Sequence, residues 1–251
     1  MAKTINTKHG KSIGSTLAPL QIGVDGCKAI ELVTVLLRAR REQHPDDCLL
    51  AFDMKNAYGS VSQTQILTAL KQLQCPILLK YFLRTYSRPA QAIFRKSDGT
   101  VVTIENKTGV LQGDALSGLF FSLALQPALE KLRPKEGLRL VIAYLDDIVI
   151  ICRKAEAEEL LRGSFQKVLD DSQLRLEMNN AKTTVFSPLG DLADAANWNC
   201  KVQPDGCTVL GTPIGSPEFI RQRLEVALAS FKQAIFSLRY CVISRSCERS
   251  P

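Results

Sequence analysis

The chain has 251 residues, 45% hydrophobic and 23% charged, enough for one sizeable core with a second small subdomain. Its net charge of +7 suits a polyanionic partner without proving one. No window reaches the ~18 apolar residues of a membrane span, and the start MAKTINTKHGKSIG lacks the apolar segment of a secretory signal.

In chain order, residues 1–20 read as an exposed lead-in. Residues 26–42 carry apolar side chains at helical spacing and predict a helix ending near His44-Pro45. CLLAFDM, 48–54, is a short apolar run closed by an acid and predicts a buried strand. Serine caps open a helix over 60–74, and Pro76 opens another over 76–87. AQAIFRK and VVTIEN flank SDGT and predict a hairpin. Residues 113–132, apolar on nearly all sides, predict a buried helix with Pro127 as a kink point. VIAYLDDIVIIC, 141–152, predicts a tight hairpin. A charged helix over 154–171, a strand over 183–186, a short strand and turn over 208–215 and a helix over 217–240 follow. The last eleven residues read as irregular. The eight cysteines are scattered without a CxxC pair. They read as free thiols of a reducing compartment rather than a disulfide framework, and a zinc site has no ligand spacing behind it.

The chemistry concentrates in the acids. Asp146 and Asp147 sit between two apolar arms, where charge needs a partner. A simple Asp-Asp turn is the plainer reading, since Asp favours turns. Asp53 has the same setting at the end of LLAF. If the two strands are neighbours in one sheet, Asp53 and Asp146 meet at one edge. Adjacent carboxylates repel unless protonated or bridged by cations. Oxygen-only clusters suit magnesium, and two ions ~4 Å apart support in-line phosphoryl transfer.

Five stretches in order then resemble the palm motifs of reverse transcriptases. They are FDMKNAYGSV (52–61), GVLQGDALSGLFF (109–121), AYLDD (143–147), NNAKT (179–183) and VLG (209–211). QIGVDGCKAIELV (21–33) is similar to the fingers segment before the first acid, and the second motif looks most like non-LTR retrotransposon and group II intron-type enzymes. The resemblance implies an α+β fold: a polymerase palm, an antiparallel sheet backed by helices, with partial fingers and a fingers hairpin near 90–105. It implies domains at 1–20 (lead-in), 21–215 (fingers and palm) and 216–251 (a truncated thumb start or tail). It implies Asp53, Asp146 and Asp147 as catalytic, metal-holding acids for two Mg²⁺ ions, or Mn²⁺ in their place, with the Met54 carbonyl beside them. Tyr58 matches the steric gate against a ribose 2′-OH, or else is core packing. Gln112 and Gly113 match the segment beside the incoming nucleotide, with an Asp114 helix cap as the plainer reading. Lys182 matches the lysine that assists the leaving group, or else is a surface residue. Leu210 and Gly211 resemble the primer grip.

The implied partners are an RNA template, a DNA primer and dNTPs, with other parts of a longer mobile-element polyprotein and no membrane. The implied compartment is intracellular, nuclear or cytoplasmic, not secreted. Lys28, Arg38, Arg40 and Arg41 are candidates to face phosphates, or else a solvated helix end. The sequence departs from the family in three places. An Arg-Pro-Ile-like fingers segment is not found, only residues 212–251 follow the VLG match, and Ser117-Gly118 and Leu145 replace the usual Ser-Pro and Ala. The alternative function is an inactive reverse transcriptase fragment that at most binds nucleic acid. An RNA-dependent RNA polymerase shares the palm, but Tyr58 argues against it.

Overall fold

The structure, a computed structural model, describes residues 1–24, 29–133, 136–190 and 199–247. In chain order the elements are α1 (Ala2–Leu17), α2 (Ala29–Gln43), β1 (Cys48–Phe52), α3 (Ala57–Ser60), α4 (Gln63–Gln72), α5 (Pro76–Tyr86), β2 (Ala90–Arg95), β3 (Val101–Asn106) and α6 (Ser117–Leu132). Then come β4 (Leu138–Tyr144), β5 (Asp147–Cys152), α7 (Lys154–Glu159), a π-helical turn (Leu160–Ser164), α8 (Phe165–Asp171), β6 (Thr184–Phe186), β7 (Lys201–Gln203), β8 (Gly206–Val209), β9 (Thr212–Gly215) and α9 (Pro217–Cys247).

One sheet, in the order β4-β5-β1-β6-β7, organises the molecule. Its pairs are antiparallel except β6 with β7, which is parallel, so the palm sheet is antiparallel only up to that edge. The strands read as unbroken apolar runs because both faces are covered. Cys48, Leu50, Phe52, Ile148 and Ile150 join the larger core, with side chains from α1, α4, α5, α6 and α8. Leu49, Val149 and Ile151 join a smaller one with Val33 and Leu37 of α2 and Val209 and Ile214 of the β8–β9 hairpin. Strands alternate faces residue by residue, so each run feeds both layers.

Several expectations need correction. Residues 1–20 are not an exposed lead-in: α1 buries Ile5, Ile13 and Leu17 in the main core. Polar residues fill its outer face, which hid the stripe. The 154–171 helix is broken by the π-helical turn, where Gly163 takes φ 122°. The final residues continue α9 through Cys247 rather than being irregular. β7 and α3 were not foreseen. Ser62 does cap α4, accepting from the Gln65 N–H at 3.4 Å, and β2 and β3 form the expected hairpin. Cys48, Cys75, Cys152, Cys200 and Cys207 are free thiols. Among the described residues no helix is long and apolar enough to cross a membrane.

Candidate active site

Asp53 leaves β1 just after Phe52, which pairs with Ile148 of β5. Asp146 and Asp147 stand where β4 turns into β5, with Tyr144 paired to Asp147. The two ladders therefore deliver three acids to one end of the central strands. Burial raises the Asp146 carboxyl above its ordinary value, and the Asp53 charge pushes it the same way. Asp147 is raised by desolvation at the crowded strand end, then by Asp146 and Asp53. Like charges sharing a site disfavour ionisation, as both shifts record.

The acids feel one another without closing into a cage. Among the described residues no three His, Cys, Asp or Glu side chains converge as a finished metal site. An open set of hard oxygen donors still fits magnesium, which keeps several waters and takes one or two carboxylates plus substrate phosphates. The Met54 carbonyl fits as a further donor. Met54 bridges Met178 through its neighbours, Lys55 N–H to Glu177 and Asn179 N–H to Asp53, which leaves its own carbonyl outside that ladder.

The backbone of Asp53 is clamped by one turn. Its carbonyl accepts the Asn179 N–H at 2.8 Å, and its N–H donates to Thr183 Oγ1 at 3.4 Å. The buried Thr183 hydroxyl donates in turn to the Asn179 carbonyl at 3.0 Å. Lys182 sits exposed on that turn, its N–H also bonded to Asn179. Sequence reasoning picked Lys182 and missed Thr183, although a hydroxyl beside the strand TVF was a visible signal.

Tyr58, in α3, stacks on Phe121 of α6 with ring centroids 5.1 Å apart and an interplanar angle of 4°. Burial, then the neighbouring Asp146 and Tyr144, pushes its hydroxyl up to about 12. Tyr58 is thus packed against α6 and close to Asp146 and Tyr144. Gln112 and Gly113 are exposed on the loop before α6. Gln112 lines an open groove of about 450 Å³ with Asn56, Gly59, Ile104 and Thr108.

Asp114 is not the cap residue of α6, which is Leu116. Its carboxylate instead accepts from Tyr81 at 3.0 Å, Tyr86 at 2.9 Å and the Leu116 N–H at 3.2 Å. That tether fixes the Gln112-Gly113 loop and was not foreseen. Leu210 and Gly211 form the two-residue β8–β9 turn, both with positive φ, 48° and 79°, as primed hairpin turns require. Leu210 packs on the smaller core, on the sheet face away from α6.

Of the basic candidates, Lys28 lies outside the described residues. Arg41 turns inward: its guanidinium covers the Phe186 ring at 4.5 Å and donates to the Asp47 carbonyl at 2.7 Å. Its guanidinium is thus engaged within the protein rather than standing as a solvated helix end. Arg38 and Arg40 remain exposed.

A family model described as "Reverse transcriptase (RNA-dependent DNA polymerase)" matches residues 2–214. The chain belongs to the reverse transcriptase family. Among curated proteins this reverse transcriptase chain resembles the "Retrovirus-related Pol polyprotein from type-1 retrotransposable element R2" of Nasonia vitripennis. Identity is 23% over 168 residues, which is 63% of the chain and 16% of that polyprotein. The corresponding R2 polyprotein of Bradysia coprophila is 25% identical over 179 residues, 66% of the chain and 20% of its own length. The chain therefore spans a fifth or less of these relatives.

Telomerase structures share the fold. Apo telomerase from Candida tropicalis aligns with TM-score 0.59 at 12% identity, covering 85% of this chain and 39% of the other. Telomerase from Candida albicans with a fragment of telomeric RNA aligns with TM-score 0.58 at 14% identity, covering 86% and 37%. The reverse transcriptase palm read from the sequence is the α+β architecture described above, and the non-LTR likeness agrees with the R2 relatives.

Proposed function

We propose that the chain is the catalytic palm of an RNA-directed DNA polymerase of a retrotransposon-like element, adding dNMP to a primer 3′-OH on an RNA template. The observation that carries this reading is the delivery of Asp53, Asp146 and Asp147 to one sheet end by the β1–β5 and β4–β5 ladders, with Tyr58 close to Asp146. When bound, two magnesium ions supply activation of the 3′-OH and neutralisation of charge developing on the leaving phosphate. Asp53 and Asp146 would be the principal holders, with Asp147 in support. Thr183 and Asn179 keep the Asp53 backbone in place.

In this reading Tyr58 blocks bulk at the sugar's 2′ position, which favours dNTPs by rejecting the competitor. The Gln112-Gly113 loop, tied down by Asp114, borders the nucleotide and template. Lys182 brings a proton and a positive charge toward the leaving group. Leu210 and Gly211 hold the primer end from the β8–β9 hairpin. The reaction belongs inside the cell, where RNA templates and dNTPs are.

The test is primer extension on an RNA template with dNTPs and Mg²⁺, with Asp146→Asn beside the wild type. Extension by the wild type and a loss of at least ~10³-fold in the variant is expected, since charge stabilisation dominates phosphoryl transfer. Absence of product from a folded wild type returns the second reading, a nucleic-acid-binding piece without turnover. The exposed apolar side chains of α9, among them Leu224, Leu228 and Phe231, favour that second reading because they leave a surface uncovered in this chain.

A further inference from the structure

Leu145 takes φ 58° at the tip between β4 and β5. A leucine there is unusual, because its Cβ crowds the backbone in the left-handed region. Something must hold it, and two glycines do. A Cβ at Gly23 would stand 2.9 Å from both the backbone nitrogen and Cγ of Leu145. A Cβ at Gly118 would stand 3.1 Å from Leu145 Cδ2 and 3.5 Å from the Tyr58 hydroxyl oxygen.

Neither glycine is explained by backbone freedom, since neither appears among the positive-φ residues. Gly118 lies in the first turn of α6, where alanine is the better helix former by about 1 kcal/mol. What the site gains from Gly118 is room. Gly23 is held beside the hairpin by main-chain bonds: Ala143 N–H to the Leu20 carbonyl at 2.7 Å and Ile22 N–H to the Ala143 carbonyl at 3.0 Å. Leu145 therefore cannot retreat toward residue 23. Any bulk added at Gly118 is passed to the Leu145 side chain and to Tyr58.

We propose that Gly118 and Leu145 are a matched, specificity-determining pair: Leu145, wedged between Gly23 and Gly118, fixes the space beside the Tyr58 hydroxyl and so how much bulk at a nucleotide's 2′ position the site admits. The sugar consequence rests on the polymerase reading above, whereas the coupling of the pair to Tyr58 does not. The two departures from the family pattern, glycine at 118 and leucine at 145, are then one feature. The larger tip residue requires the smaller helix residue.

The experiment labels the full chain with 3-fluorotyrosine and assigns the Tyr58 ¹⁹F signal with Tyr58→Phe. The wild type, Gly118→Ala, Leu145→Ala and the double variant are compared by that signal and by the ratio of dNTP to rNTP incorporation. Gly118→Ala is expected to move the Tyr58 signal and change the ratio by about tenfold. The double variant is expected to restore the signal and bring the ratio within about twofold of wild type.

Leu145→Ala, which removes bulk rather than adding it, keeps the test informative if Gly118→Ala folds poorly, and it should also move the signal. A Tyr58 signal indifferent to both single changes, or a double variant displaced as far as Gly118→Ala in signal and ratio, overturns the proposal. A signal that moves and is restored in a protein that extends no primer overturns the polymerase reading and leaves the pair supported.

Discussion

Asp114 gathers three donors on one carboxylate: two tyrosine hydroxyls of α5 and a backbone N–H entering α6. Burial pushes the Tyr86 hydroxyl up to about 12, so it stays a donor at neutral pH. Asp114→Ala leaves both hydroxyls without that acceptor and should cost about 1–3 kcal/mol, read by urea denaturation. Asp114→Asn keeps one oxygen and should cost less.

The acids at the sheet end have the opposite sign. Asp146 and Asp147 have folded pKa values above their unfolded ones, near ~3.9. The fold therefore favours their protonated forms. That contribution is full below the unfolded value and is lost as pH rises through the raised folded values. At neutral pH without divalent metal, Asp146→Asn should raise stability, by about 1 kcal/mol or less. Mg²⁺ should raise the Tm of the wild type and leave that of Asp146→Asn nearly unchanged, because a ligand stabilises the state that binds it. Equal Mg²⁺ shifts for both proteins would contradict the assignment of Asp146 as a metal holder.

Elements position the site by crossing one another closely. The segment 108–110 lies against α3 and its flanks: the Thr108 hydroxyl donates to the Gly59 carbonyl at 2.7 Å, and the Val110 N–H to the Tyr58 carbonyl at 2.6 Å. Gly109 has φ 67°, and a Cβ there would stand 2.1 Å from the Tyr58 carbonyl oxygen. Gly109→Ala combines backbone strain with a main-chain collision, so a loss of roughly 3 kcal/mol or more is expected, measured by thermal melting with Tm as the readout.

Such crossings mark the limit of what one sequence discloses. The β1 strand, the acid hairpin and the capped α4 were legible because apolar run length, Ser62 and the LDD tip are local signals. Asp53 beside the acid hairpin was legible as grammar, two acids each closing a buried run. The clamp on Asp53 by Thr183, the Asp114 tether and the room above Gly118 each join residues far apart in the chain. No local pattern encodes them. α1 escaped because its buried Ile5, Ile13 and Leu17 are separated by lysines, threonines and serines that look solvated in sequence.

The whole molecule is a two-sided sheet with one long helix leaving it. From residue 221 to 236 every described side chain of α9 is exposed, with Leu224, Phe231 and Phe236 each more than half open to solvent. Substituting Leu224 or Phe231 by glutamine should change the stability of this chain by no more than about 0.5 kcal/mol, read by denaturant midpoint, because neither supports the core.

The central position of β1 carries a different consequence. Its partners on either side, β5 and β6, begin at Asp147 and Thr184, far downstream of Cys48. Pairings of this span are slow to form, since the loops must close before any contact rewards them. During synthesis, a nascent chain that has emerged only through α6 already displays Asp53 but has no strand to set beside it. Only when β6 has left the ribosome is β1 flanked on both sides and the Asp53 backbone clamped. The order of translation thus acts as a timer: the three acids meet near the end of folding rather than at its start.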